Sequence, residues 1–204
     1  MDKIFFTGAP GSRWSSVISH IYWSEDIDQS DYNSSRLYHK FDKNKGFRLS
    51  HIGAYWDPGM EFNPFSAAHW AAPFSGNGIK IIKSHVFSYC LDWLVTFKCP
   101  IVMVYRNDFE CFTWWKKAGG FDITYPNYLP YYKNDDNMWR EIQAQNSSLL
   151  KFIKKNQLNI DRVYSNNQLC NLLKLNTKNI EKLQDYQKDD IQVYVYNVKV
   201  SNES

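Results

Sequence analysis

Three short apolar runs, "KIFFT" at 3–7, "GIKIIKSH" at 78–85 and "CPIVMVYRN" at 99–107, constrain this chain more than any other feature. The third is apolar on both faces, as a strand buried under helices on either side must be. Each run leads into a helical pattern. Ser15 to Trp23 brings Val17, Ile18, Ile21 and Tyr22 to one side at helical spacing, "SYCLDWLVTF" follows the second run, and "DFECFTWWKKA" follows the third until Gly119-Gly120 stops it. Strands alternating with helices predict an α/β fold in three layers, with a central, mainly parallel sheet flanked by helices. A length of 204 residues fits one such domain.

The remaining segments are assigned within that frame. "MWREIQAQNSSLLKFIKK" at 138–155 is the longest amphipathic helix, and "DRVYS" at 161–165 a short strand. Helices are expected near 167–175 and 178–186, and "IQVYVYNVKV" at 191–200 as a last, peripheral strand. "TYPNYLPYY" reads as a loop. Residues 24–78 carry a polar run, "SEDIDQSDYNSS", and an aromatic Pro/Gly stretch, "HIGAYWDPGMEFNPF", which read as a long loop-rich insert. Inserts of this kind are often functional rather than filler.

Bulk properties remove several function classes. A net charge of +3 is too small for a nucleic-acid surface. Cys90, Cys99, Cys111 and Cys170 are scattered without a C-x-x-C, which argues against a zinc site or a disulfide framework and for a reducing compartment. No run approaches the roughly 18 apolar residues of a membrane span, and no leader pattern stands at the start, so a soluble cytoplasmic protein is expected. Aromatic residues make up 17% of the chain, enough both to fill a core and to line a pocket for a ring or sugar.

In parallel sheets ligands sit at the carboxyl ends of strands. The first strand ends in "TGAPGSRWSS". Gly8 and Gly11 let the chain bend so that the amides of 11–15 face an anion, the hydroxyls of Ser12, Ser15 and Ser16 add donors, and Arg13 grips phosphate oxygens. The second ends in "KSH". Lys83 and His85, two apart, face the same way in an extended segment, pairing a cation with a base that titrates near neutrality. The third delivers Arg106, with Thr113 in the following helix as a possible second contact. No G-K-[ST] occurs, and the third strand ends in Arg where nucleoside-triphosphate enzymes have a metal-binding Asp, which points away from magnesium chemistry.

Taken in order, these pieces resemble sulfotransferases that use 3′-phosphoadenosine-5′-phosphosulfate (PAPS). "GAPGSRWS" is similar to the family's G-x-P-[RK]-S-G-[ST]-[ST] at Gly8, Pro10, Ser12 and Ser15. "KSH" matches K-[ST]-H, "LDWL" at 91–94 recurs, and "YRNDFECFTWW" resembles the strand end R-N-P-x-D-x-x-x-S. The two blocks cover about residues 3–23 and 79–118. The resemblance implies a P-loop-like fold with PAPS as donor, held by Gly8, Pro10, Gly11, Ser12, Arg13, Trp14, Ser15, Arg106 and Thr113. It implies His85 as base, with Lys83 and Arg13 stabilising the transferred sulfonate, no metal, and a small-molecule or glycan acceptor. Glu61 is a second candidate base. The chain departs from the pattern in placing Gly11 where the family has its basic residue and Arg13 where it has Gly. Thr113 falls one position before the family's Ser, Trp114 stands at that position, and no G-x-x-G-D-W-K segment follows. A catalytically silent nucleotide-binding relative and a small P-loop kinase are the alternatives.

Overall fold

The computed structural model describes residues 1–31, 74–123, 128–158, 162–178 and 190–197, without the side chains of 19 and 20. Five strands form one sheet: β1 Lys3–Thr7, β2 Lys80–Lys83, β3 Ile101–Tyr105, β4 Arg162–Val163 and β5 Gln192–Tyr196, in the order β2-β1-β3-β5-β4. The helices are α1 Trp14–Tyr22, α2 Leu91–Val95, α3 Asp108–Ala118, α4 Leu129–Tyr132, α5 Asp135–Lys155 and α6 Asn166–Leu173.

The α/β class stands, but the expectation of a mainly parallel sheet is corrected. The sheet is mixed: β1 pairs parallel with β2 and β3, whereas β5 runs antiparallel to both β3 and β4. The "IQVYVYNVKV" strand is therefore not peripheral. It lies inside the sheet, with Val193 and Val195 facing one core cluster and Tyr194 the other.

Alternation distributes β1, β2, β3 and β5 between two cores. Ile4, Phe6, Ile81, Val102 and Val104 pack with Val17, Ile18 and Ile21 of α1 and Leu169 and Leu173 of α6. Phe5, Ile82, Ile101 and Met103 pack on the other face with Phe87, Leu91 and, from α5, Leu149, Phe152 and Ile153. A third cluster, with Ala9, Cys111, Trp115, Tyr128, Met138 and Ile142, ties the loop after β1 to α3 and α5. All four cysteines are buried free thiols.

Local differences have local causes. The helix expected over "SYCLDWLVTF" is split into a 3₁₀ turn, His85–Tyr89, and the short α2, because Cys90 between them leaves helical geometry at φ −130°, ψ 31°. Helix α5 begins three residues earlier than its apolar period suggested, since Asn134 caps it by accepting from the Asn137 amide. "LPYY" forms the short α4 within the expected loop. Residues 32–73, with Glu61 and the aromatic stretch of the insert, and most of the helix expected at 178–186 lie outside the described residues. Among the described residues no helix is long and apolar enough to cross a membrane.

Candidate functional site

Strand order builds the site. The chain leaves β1 for β2 on one side and returns to β3 on the other, so the carboxyl ends of three adjacent parallel strands converge where the winding reverses. These are the three ends singled out in the sequence.

The turn after β1 is held tightly. Ser12 N–H donates to the Ala9 carbonyl at 2.9 Å, so this amide serves the turn itself. A Cβ on Gly8 would lie 2.6 Å from Ser12 Oγ and 2.7 Å from the Val104 carbonyl. The missing side chain thus lets the Ser12 hydroxyl fold over β1. Gly11 has φ +82°, and a Cβ there would overlap the Cys111 carbonyl and sit 3.0 Å from the Trp115 amide nitrogen. Only glycine lets the turn lie against α3. Pro10 is buried in the turn. Arg13 follows at φ 66°, ψ 22°, a left-handed conformation that an arginine adopts only at a cost, and it starts α1 without a side-chain cap.

The end of β2 is fastened to this turn. Ser84 N–H donates to the Phe6 carbonyl and Thr7 Oγ1 to the His85 carbonyl. Lys83 and His85 are both about 2% exposed. Ser84 is extended, and the chain turns into the 3₁₀ segment at His85. His85 Nδ1 bonds the Gly8 carbonyl, and Nε2 lies 3.2 Å from the Tyr128 hydroxyl. The imidazole packs on Trp14 at 4.2 Å between ring centroids, and Lys83 Nζ is 5.8 Å from the centre of the same indole. Burial pushes the imidazole down to about 3, with the Lys83 charge acting in the same sense and the bond to Gly8 opposing. The ring is therefore neutral at pH 7. A carbonyl only accepts, so Nδ1 carries the proton and Nε2 the lone pair.

At the end of β3, Arg106 is 8% exposed. Its carbonyl accepts from Asn146 Nδ2 at 2.9 Å, and Asn107 caps α3 through the Glu110 amide, which fixes where the helix starts. Arg106 Nη2 pairs with Glu110 at 3.1 Å. The Arg106 guanidinium lies 5.9 Å from the Trp114 ring centre, Arg13 lies 4.8 Å from it and Lys117 5.3 Å. Two indoles therefore join the three strand ends, Trp14 gathering Lys83 and His85 and Trp114 gathering Arg13 and Arg106. Thr113 is exposed on α3, and the ring that meets both arginines belongs to its neighbour.

Several polar atoms of this cluster are buried without a hydrogen-bond partner among the described residues. They are Ser12 Oγ, Ser15 Oγ, and Nε and Nη1 of Arg106. Buried polar groups are nearly always satisfied by protein, ordered water or a ligand, so these four atoms have hydrogen-bonding capacity left for a further partner. A polar cavity of about 650 Å³ opens beside Arg106, lined by Asn107, Glu110, Arg162, Tyr164, Asp190 and Gln192. It adjoins the cluster through Asn107 and Glu110 and includes none of Ser12, Arg13, Lys83 and His85. No group of metal-ligating side chains occurs among the described residues.

In the sequence Trp114 stands out only as the residue at the family's Ser position, and Tyr128, Arg162 and Asp190 do not stand out. Glu110 had a local signal, lying one helical turn after Arg106 at the acidic position of the strand-end pattern, whereas Tyr128 had none, because its contact with His85 joins residues 43 apart. No family model, curated protein or solved structure matches this chain.

Proposed function

We propose that this protein binds PAPS at the joined ends of β2, β1 and β3 and transfers its sulfuryl group to a hydroxyl or amine acceptor without a metal. The observation that carries the reading is the set of buried, unpartnered donors on Ser12, Ser15 and Arg106, all on the segments that the family resemblance assigns to the two phosphate groups. Charge favours it too. Arg13, Arg106 and Lys117 crowd one indole with Glu110 as the carboxylate in contact with Arg106, so a dianion entering there is stabilised.

In this reading the Ser12 and Ser15 hydroxyls hold the 5′-phosphate and Arg106 the 3′-phosphate. The acceptor oxygen attacks sulfur as the bond from sulfur to the 5′-phosphate oxygen breaks. Adenosine 3′,5′-bisphosphate leaves with the electron pair, and the acceptor proton passes to His85 Nε2. Lys83 and Arg13 neutralise the charge gathering on the leaving phosphate. His85 is uncharged at neutral pH, as a base must be, although its low basicity makes it accept the proton late.

The test is transfer of radiolabelled sulfuryl from PAPS to a panel of phenols, sugars and amines. His85→Ala should lose about a hundredfold or more in rate while keeping donor affinity. Equal rates in mutant and wild type would remove His85 from the mechanism.

One observation favours a second reading. His85 is sequestered, with both ring nitrogens bonded and one face against Trp14, which suits a silent nucleotide-binding relative. That reading predicts bisphosphate binding and no transfer to any acceptor.

Arg13 offers a further check. Its left-handed backbone stands where the family motif has glycine, so the strain accompanies a cation placed at the site. Arg13→Gly should raise stability by about 1 kcal/mol, less a part returned by the freer unfolded chain. The same change should weaken bisphosphate binding about tenfold, the loss of one charge-assisted contact. Urea unfolding and calorimetric titration read the two effects, and a variant that binds as tightly as the parent would show Arg13 to be a bystander.

A further inference from the structure

Both nitrogens and one face of the His85 ring have defined neighbours. Nδ1 is held by the Gly8 carbonyl, one face lies on Trp14, and Nε2 meets the hydroxyl of Tyr128. The bond at Nδ1 makes Nε2 the one nitrogen with a lone pair, so the Tyr128 O–H donates to it. Tyr128 stands immediately before α4 and is 4% exposed. Its ring packs against Trp115 at 6.3 Å and Tyr132 at 6.1 Å between centroids, so its hydroxyl is carried on a fixed frame. The contact joins residues 43 apart in sequence and is buried.

We infer that Tyr128 is a positioning residue for His85. Its hydroxyl donates to Nε2, reinforcing the Nδ1–H tautomer that the Gly8 carbonyl sets, and aims the Nε2 lone pair at the spot that an acceptor hydroxyl takes over when it displaces the phenol. The inference rests on the sulfuryl-transfer reading for the acceptor, but the bond between the two residues does not. In this arrangement the phenol occupies the base before the acceptor arrives, and the incoming hydroxyl exchanges one O–H donor for another. Exchange of like for like leaves the buried nitrogen satisfied throughout, whereas an unoccupied Nε2 at this depth would be penalised. Among the described residues, Lys83 from β2 is the charge acting on the ring and Tyr128 the titratable group in contact with it. The turn after β1 supplies a carbonyl and α1 an indole, neither of which titrates.

A donor on Nε2 favours the uncharged ring, so removing it raises the affinity of His85 for a proton. Tyr128→Phe deletes that donor and keeps the ring that packs on Trp115. Nitrogen-15 spectra of the imidazoles, with the His85 signals assigned from His85→Gln, should show a protonated Nδ1 and a hydrogen-bonded, unprotonated Nε2 in the wild type. In Tyr128→Phe the His85 titration should move to higher pH. With PAPS and a phenolic acceptor, kcat should fall about tenfold, the KM for PAPS should stay within twofold, and the acid limb of the pH–rate profile should move up in step with the titration. A role in packing alone would lower stability and leave that limb in place. An Nε2–H tautomer in the wild type, or an unchanged titration and kcat in Tyr128→Phe, would overturn the inference. Should the phenylalanine variant not fold, the wild-type Nε2 signal still decides it, because an Nε2 that accepts no hydrogen bond would overturn the inference. Wild-type protein with the expected tautomer but no transfer would instead overturn the sulfuryl-transfer reading, because the spectra need no substrate.

Discussion

Replacing Arg106 with alanine is expected to weaken binding of adenosine 3′,5′-bisphosphate about 100-fold and to leave the fold standing. The guanidinium has two nitrogens buried without a partner among the described residues, and the third is shared with Glu110. Hydrogen bonds from a charged donor contribute about 1.5–3 kcal/mol each, so losing the contacts to one phosphate removes about 3 kcal/mol, or two decades of affinity. Stability should move the other way or not at all. Alanine removes buried donors that the protein itself leaves unsatisfied, and the Glu110 carboxylate, 39% exposed, returns to water without penalty. Loss of affinity without loss of stability separates a ligand-binding arginine from a structural one. Arg106→Lys should recover little of it, since an ammonium cannot reach two oxygens in one plane. Calorimetric titration and chemical unfolding on the same preparations measure both quantities. Unchanged affinity in Arg106→Ala would take the third strand end out of the site.

The second large effect is expected at Gly11, where alanine should lower the midpoint of thermal unfolding by about 6–12 °C. Two costs add. The backbone sits at φ +82°, which a side chain disfavours, and the new methyl would overlap the Cys111 carbonyl in the first turn of α3. The clash is with helix backbone, so relief requires the turn and α3 to separate. A combined cost of about 3 kcal/mol, at about 2–4 °C per kcal/mol for a chain of this size, gives the stated range. Because that contact fixes the distance from the anion turn to Arg106 and Trp114, bisphosphate affinity should fall with it. A variant that melts within 2 °C of the parent would mean that α3 and the turn are not in the contact described.

Much of the fold was legible because buried parallel strands carry their signature locally. "IFF", "II" and "IVMV" are continuous apolar runs, and the helix after the third is bounded by its own cap and stop, Asn107 and Gly119. The direction of β5 was not legible. Its residues alternate between the two cores, which identifies a strand, but a strand's sequence does not say which way it runs or which neighbours it pairs with. The site divides similarly. Ser12, Lys83, His85 and Arg106 stand out because each ends a strand, and the topology gathers strand ends. The link from His85 to Tyr128 spans residues 43 apart, and the meeting of Arg13 and Arg106 over Trp114 depends on how α3 packs against the turn. Neither has a local pattern to find. The left-handed conformation of Arg13 is also silent in the local sequence, where arginine before a helix reads as an ordinary residue.

A structure of the protein grown with adenosine 3′,5′-bisphosphate tests the account most directly. One phosphate should lie within hydrogen-bonding distance of Ser12 Oγ and Ser15 Oγ, and the other should meet Nε or Nη1 of Arg106. A nucleotide bound elsewhere, or none at millimolar concentration while those four atoms stay without a phosphate partner, would contradict it.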